Sequence, residues 1–312
     1  MTLAAATFVA REVPSELLAV SRWRGALHVA VSWLAIFAVV GACGRVGTWW
    51  AHGIGILLIG GLQNHLMVLL HHSIHVNLHP SRAVNDALAR WLVTAPMAQP
   101  WSYMRRAHIQ HHARLGEPED PDRWYYDVDL FGRRRPILLV GWLVVNLLGG
   151  LLVPTLRKLV TGRRSAEDPS AGLGGSTLLD SVSVVGMQLA LFGPFFAIHG
   201  EWWAYFALWA IPAVTFGGGF NCFRTALEHM DAGQPASRDR SFRSNPIERF
   251  FVAPFFMNYH YEHHLLMTVP YYHVPRFREY LRERGAFPEH LLVGSYLGRL
   301  RRVLRDLNSP DD

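Results

Sequence analysis

Cysteine is almost missing: Cys43 and Cys222 are the only two in 312 residues. Two cysteines make no disulfide framework, and neither stands in a metal-motif spacing. Both lie in or near apolar stretches, where a thiol serves as a small hydrophobe. Charge is scarce too, at 17% of residues against roughly 25% in soluble domains. Lysine is nearly absent, since all 30 basic residues except Lys158 are arginine. The opening MTLAAATFVAREVPSELLAV lacks the basic start, apolar run and cleavage site of a secretory leader, so 1–22 reads as a short retained tail. No internal repeat is found.

Apolar residues make up half of the chain, with 11 Trp, 10 Tyr and 17 Phe, a composition suited to aromatic girdles at lipid interfaces. Five apolar stretches stand out: about Ala26–Val46, Trp49–Leu70, Pro136–Leu156, Ser181–Ile198 and Trp202–Phe220. A span needs about 20 such residues. Histidine-rich segments lie at 71–79, 108–112, 229 and 260–264. To build one site they must share a side of the bilayer, which four spans allow and five do not. Loop charge names the stretch to demote. Nine arginines run from Arg82 to Arg135, and Arg157, Lys158, Arg163 and Arg164 flank the third stretch on its other side. The positive-inside rule then puts the tail, 80–135, 156–178 and 221–312 in the cytoplasm and leaves the third stretch interfacial or re-entrant. The net charge of +6 thus belongs beside spans, which favours lipid headgroups over nucleic acid. The expected fold is all-α: an integral membrane protein with two transmembrane helix hairpins and a cytoplasmic helical cap carrying the histidines. The expected organisation is the tail 1–22, a membrane domain 23–275 and an amphipathic C-terminal segment 276–312, either on the membrane surface or packed on the protein. The run 162–178 is a connection.

Nine of 17 histidines form an ordered set. His71 and His75 make H-x-x-x-H. His108, His111 and His112 make H-x-x-H-H, and His260, His263 and His264 repeat it; His229 stands alone. At 3.6 residues per turn, positions i, i+3 and i+4 share a helix face, so each box aims its imidazoles at a common point. Imidazole suits iron and zinc alike, and spacing does not name the metal. Nine donors exceed the four of a tetrahedral zinc site but divide well between two six-coordinate ions. Carboxylates are too sparse among the boxes for a Glu-rich di-iron bundle. A histidine-rich di-iron site at the membrane surface remains. His65, His72 and His79 read as packing, capping or supporting residues; His28, His52, His199, His273 and His290 read as structural or interfacial.

These residues resemble the membrane fatty acid desaturase superfamily, from about Leu62 to Pro275. The runs HVNLHPSRAVND, LGEPEDPDRWYY and NYHYEHHLLMTVPYYHVP, with Arg224 and Glu228–His229 as an R-x-x-x-E-H element, look most like the branch of rhizobitoxine-type and bacterial fatty acid desaturases. The resemblance implies that all nine box histidines, His229 included, ligate two iron ions. Some relatives carry an Asn one turn before the lone histidine; here that position is Thr225, with Asn221 two turns away, which leaves a tenth ligand open.

No side chain removes hydrogen from an unactivated methylene; metal and O₂ supply the oxidant, and the protein supplies ligation, orientation and exclusion of water. Glu228, Glu262, Asp120 and Asp122 are the candidates for orienting ligating histidines; the other reading is surface charge or loop capping, favoured slightly for the two aspartates. With no His-Pro-Gly-Gly haem motif, flavin fingerprint or cysteine cluster, electrons must come from a separate ferredoxin or haem protein. The expected activity is O₂-dependent desaturation of an acyl or similar apolar chain. A di-iron hydroxylase or ketolase of a lipid or carotenoid is the first alternative, since kinship of fold does not fix the reaction. A histidine-rich metal transporter is the second, but it would place ligands at mid-span. Gly55, Gly60, Gly61, Gly217, Gly218 and Gly219 are expected beside a narrow slot for the chain, or else at close helix contacts.

Overall fold

The computed structural model describes residues 12–126, 136–150, 152–153, 177–230 and 239–307. Arg133, Arg134, Arg135, Pro154, Arg157, Lys158 and nearly all of the 162–178 connection lie outside them.

The first long helix, α1 (Arg24–Val46), stops at Gly47, whose left-handed φ of 65° lets its N–H reach the Cys43 carbonyl. Helix α2 (Trp49–Ile74) follows. A short helix over Arg82–Leu88 widens into a π-helical turn, Ala89–Thr94. Then come α3 (Trp101–Arg114), α4 (Pro136–Leu147), α5 (Leu178–His199), α6 (Phe206–His229), α7 (His260–Leu265), α8 (Val274–Glu283) and α9 (Tyr296–Asp306). Among the described residues the only strands are a two-residue parallel pair, Ser241–Phe242 with Leu292–Val293.

Four helices, α1, α2, α5 and α6, are long and apolar enough to cross a membrane. Among the described residues the longest helix of the third apolar stretch is the 12-residue α4, too short for a span, as the parity argument requires. Val29, Ile36, Val40, Ile59, Leu66, Phe195 and Trp209 pack into one core between the spans. The outer faces stay apolar: Leu34 is 68% and Leu189 73% exposed, a surface matched to lipid and costly in water at about 25 cal/mol per Å².

The tight links after α1 and α5 lie at one end of the bundle. There Gly44 lets α1 approach the backbone of His199, and His52 Nε2 lies 2.9 Å from His199 Nε2. At the opposite end Gly25 packs against the Leu78 backbone; this end carries all the histidine boxes.

One expectation needs correction. The segment 80–135 does not lie wholly outside the spans. Its chain dips between them as far as the turn at 95–98, where Ala98 takes a φ of 54°. Gln188, ten residues or about 15 Å into α5, donates to the carbonyls of Ala95 (2.7 Å) and Pro96 (3.0 Å). Trp209 Nε1 donates to Pro96 O at 3.2 Å and Trp33 Nε1 to Leu92 O at 2.8 Å. A non-helical turn at this depth is tolerated because side chains satisfy its carbonyls. Of the two readings of the glycines, close helix contact holds at five of six positions. A Cβ on Gly55, Gly60, Gly61, Gly217 or Gly219 would meet Cys43, Phe216, Phe251, Gln63 or Leu147 respectively. Close helix packing accounts for them; Gly218 lines a cavity.

The basic C-terminal helices bury their apolar faces on the protein. Phe277 and Leu281 of α8 join one cluster, while Tyr296 and Val303 of α9 each join another.

Candidate metal centre

The nine histidines come from four places at one end of the bundle. His71 is in the last turn of α2 and His75 caps it. His108, His111 and His112 lie on α3, His229 ends α6, and His260, His263 and His264 lie on α7. Between α3 and the bundle the chain must reverse at once. Gly116, at φ 81°, makes the turn that a side chain would oppose, and so returns Asp120 to His111.

The imidazoles gather in two groups. His71, His75, His108, His112 and His263 form the first; His229, His260 and His264 form the second together with Asp239, ligand atoms in each group lying within 4.8 Å of one another. His111 sits beside the second, its ring 4.9 Å from His229 and 5.5 Å from His264. Each H-x-x-H-H box is therefore divided rather than aimed at one point. His108 and His112 go to the first group and His111 to the second; His260 and His264 go to the second and His263 to the first. Helix geometry explains the split, because i and i+4 differ by only about 40° around the axis whereas i+3 and i+4 differ by about 100°.

The nitrogens converge too closely for hydrogen bonding to satisfy them. His108 Nε2 lies 3.0 Å from both His75 Nε2 and His112 Nε2. His263 Nε2 lies 2.8 Å from His71 Nε2 and 3.2 Å from His112 Nε2. In the second group His229 and His260 meet Nε2 to Nε2 at 2.9 Å, and His264 Nε2 is buried without a protein partner. An imidazole nitrogen offers one proton or one lone pair, so five facing nitrogens pair only two by two and at least one is left unsatisfied. A cation in each group removes that conflict, and the donor set fits one. Five nitrogens in the first group exceed the four of tetrahedral zinc. Burial lowers His75 to about 4 and His112 to about 2, which keeps the imidazoles in the neutral, ligating form.

Carboxylates stand near the outer nitrogens. Asp120 accepts from His111 Nδ1 at 2.9 Å, which turns His111 Nε2 toward the second group. Burial works against charge on His111, yet the Asp120 hydrogen bond and the Asp122 carboxylate outweigh it and raise its pKa. Burial would also raise Asp120, but His111, Tyr126 and the Asp122 N–H together hold it below the usual range. Glu228 Oε2 lies 3.4 Å from His260 Nδ1 and accepts from Arg224 at 3.1 Å, while its other oxygen accepts from Tyr296 at 2.8 Å. Of the four expected carboxylates, Glu262 alone serves elsewhere: it takes hydrogen bonds from Ser241 and Arg278. Asp122 stands 3.8 Å from His111 Nδ1.

Sequence reasoning missed Asp239. Its Oδ1 is 3.2 Å from His229 Nδ1 and 3.7 Å from His264 Nδ1. It follows the polar run DAGQPASR with no helical spacing to a histidine, so nothing but its charge could have signalled it. The supporting histidines behave as expected. His65 and His72 reach the carbonyls of Phe250 and Phe255, His72 also stacks on Tyr271, and His28 meets the Tyr271 hydroxyl at 2.6 Å.

A cavity of about 100 Å³ lies against both groups, walled by His71, His108, His111, His229 and His260 with Asn221, Arg224 and Thr225. A larger one of about 330 Å³ continues between the spans; Met67, Tyr125 and Asn221 wall both.

The sequence profile described as Fatty acid desaturase matches residues 47–295. The chain belongs to that family. It is an oxidoreductase. Among curated members, the dihydrorhizobitoxine desaturase of Bradyrhizobium elkanii is 26% identical over 262 residues, covering 80% of this chain and 72% of the relative. A beta-carotene ketolase of a Paracoccus species is 24% identical, covering 81% of this chain and 86% of the relative. A second Paracoccus beta-carotene ketolase is 26% identical over 69% of this chain and 74% of its own length. The fatty acid desaturase family match takes in every box histidine and, at its far end, most of the segment that follows the third box.

Proposed function

We propose that this membrane desaturase-type oxidoreductase holds two iron ions, cycling between Fe²⁺ and Fe³⁺, and with O₂ introduces a C=C bond into an acyl or similar apolar chain. The observation that carries the reading is a pair of converging imidazole groups at the mouth of an uncharged cavity between spans. His71, His75, His108, His112 and His263 would hold one ion, and His111, His229, His260 and His264 the other. Iron with O₂ would supply the oxidising power for hydrogen removal that side chains lack. The protein's part is orientation and dryness. Asp120 fixes the His111 tautomer, Glu228 faces His260, Met67 and Tyr125 line the way to the cavity, and its apolar walls favour the chain over bulk water. Electrons would come from a separate ferredoxin or haem protein. Expression in a host of known lipid profile, followed by mass spectrometry and iron analysis, tests the reading. The expected result is about two iron per chain and a product short of two hydrogens; stoichiometric zinc with no iron from iron-replete medium would sink it. The Paracoccus ketolase relatives favour one second reading, oxygen insertion, for which the product gains an oxygen instead.

We further infer that the histidine end faces the cytoplasm, because the arginine-rich segments adjoin it. Cys43 and Cys222 are buried, so single cysteines can be introduced at Ser81 and Glu201, both exposed. An impermeant maleimide should label the Glu201→Cys variant in intact cells and the Ser81→Cys variant only after permeabilisation. The reverse pattern would invert the orientation, and labelling of both from one side would refute four spans.

A further inference from the structure

The larger cavity ends where a substrate tail would call for hydrocarbon, yet its end wall is polar. Gln63 of α2 donates to Trp209 O at 2.8 Å, which sets the Trp209 wall at the level of Gln63, about 12 Å of helix from His71. Beside it Tyr205 and Gln188 face each other, the Tyr205 hydroxyl 2.6 Å from Gln188 Oε1. Uncompensated polar groups at such depth are costly, so the arrangement needs a reason. Part of it is the turn at 95–98: both hydrogens of the Gln188 amide go to the Ala95 and Pro96 carbonyls. That use fixes which way the amide points. Its oxygen must then take the Tyr205 proton, and the Tyr205 oxygen is left as an acceptor at the cavity wall. None of the described wall residues is charged, so a carboxylate or phosphate has no partner inside.

We propose that Tyr205, held by Gln188, is a specificity-determining residue that selects substrates whose distal end carries a hydroxyl. An alcohol O–H completes the wall by donating to Tyr205. A carbonyl end gains nothing from Tyr205, because that proton is committed to Gln188. A methyl end leaves the acceptor bare. The inference deepens the desaturase reading and rests on it for which end of the substrate is distal, but its test needs neither iron nor turnover.

Binding of decanoic acid and 10-hydroxydecanoic acid to the purified protein in lipid nanodiscs, measured by equilibrium dialysis, decides it. The wild type should hold the hydroxylated ligand about tenfold tighter, the worth of one good hydrogen bond. In Tyr205→Phe, which keeps the shape, the two affinities should converge while decanoic acid binds unchanged or better. Equal wild-type affinities would overturn the proposal by themselves, whatever becomes of the variant. A preference that survives in Tyr205→Phe, or an equal loss for both ligands, would overturn it too. Failure of the desaturase reading shows up differently, as absent iron or absent product with the binding preference intact.

Discussion

Replacing His263 by alanine is expected to abolish turnover and strip metal from the protein. His263 Nε2 stands between His71 at 2.8 Å and His112 at 3.2 Å, so its loss removes the nitrogen that joins His71 to His112 and takes one donor from the middle of the group. Loss of a residue that merely supports a metal ligand costs 10–100-fold; loss of a ligand from the middle of the group should exceed about 100-fold in activity, with iron content falling in step. The control is His290→Ala, since His290 is exposed and belongs to neither group; both iron and rate should stay near wild type. Equal losses in the two variants, read by elemental analysis and product formation, would mean that membership of a box carries no information.

The second large effect is expected at Arg224. Its guanidinium is buried against Glu228, with side-chain exposures of 5% and 0%, and also donates to Asn221 at 2.7 Å. Arg224→Leu leaves the Glu228 carboxylate in the interior without its cation. Breaking a buried pair from one side costs about 3–5 kcal/mol, enough to lower the midpoint of unfolding by several degrees. Because Glu228 also lies 3.4 Å from His260 Nδ1, metal retention should fall with stability. Arg224→Lys, which restores charge without the planar fork, should recover part of the stability. A melting curve for Arg224→Leu that overlays wild type would show that the pair is not structural.

These outcomes depend on features of unequal legibility. The spans were readable because hydropathy acts over about 20 residues and averages out local detail. The nine histidines were readable because a helix places i, i+3 and i+4 together. Their division was not stated in advance, although the same helix angle dictates it. The dip at 89–98 left no trace, since ARWLVTAPMA is too short for a span and its depth depends on Gln188 and Trp209, about a hundred residues later. Asp239 was invisible for a like reason: only the folded chain brings it to His229. The glycines stayed undecided between slot and packing because a missing side chain makes room for a helix as readily as for a ligand, and sequence alone does not say which neighbour fills the space.

The distance along the chain between facing imidazoles has a consequence in time. His71 and His263 are separated by 192 residues, and Tyr296, which holds Glu228, comes later still. At 5–20 residues per second the ribosome needs roughly 10–40 s to deliver the second half after the first. Through that interval His71, His75, His108 and His112 stand in a partly inserted chain with the keystone of their group not yet made. The complete first group therefore exists only once α7 has been made, and a chain released before that point carries four of its five imidazoles and, of the second group's histidines, only His229 with His111 beside it.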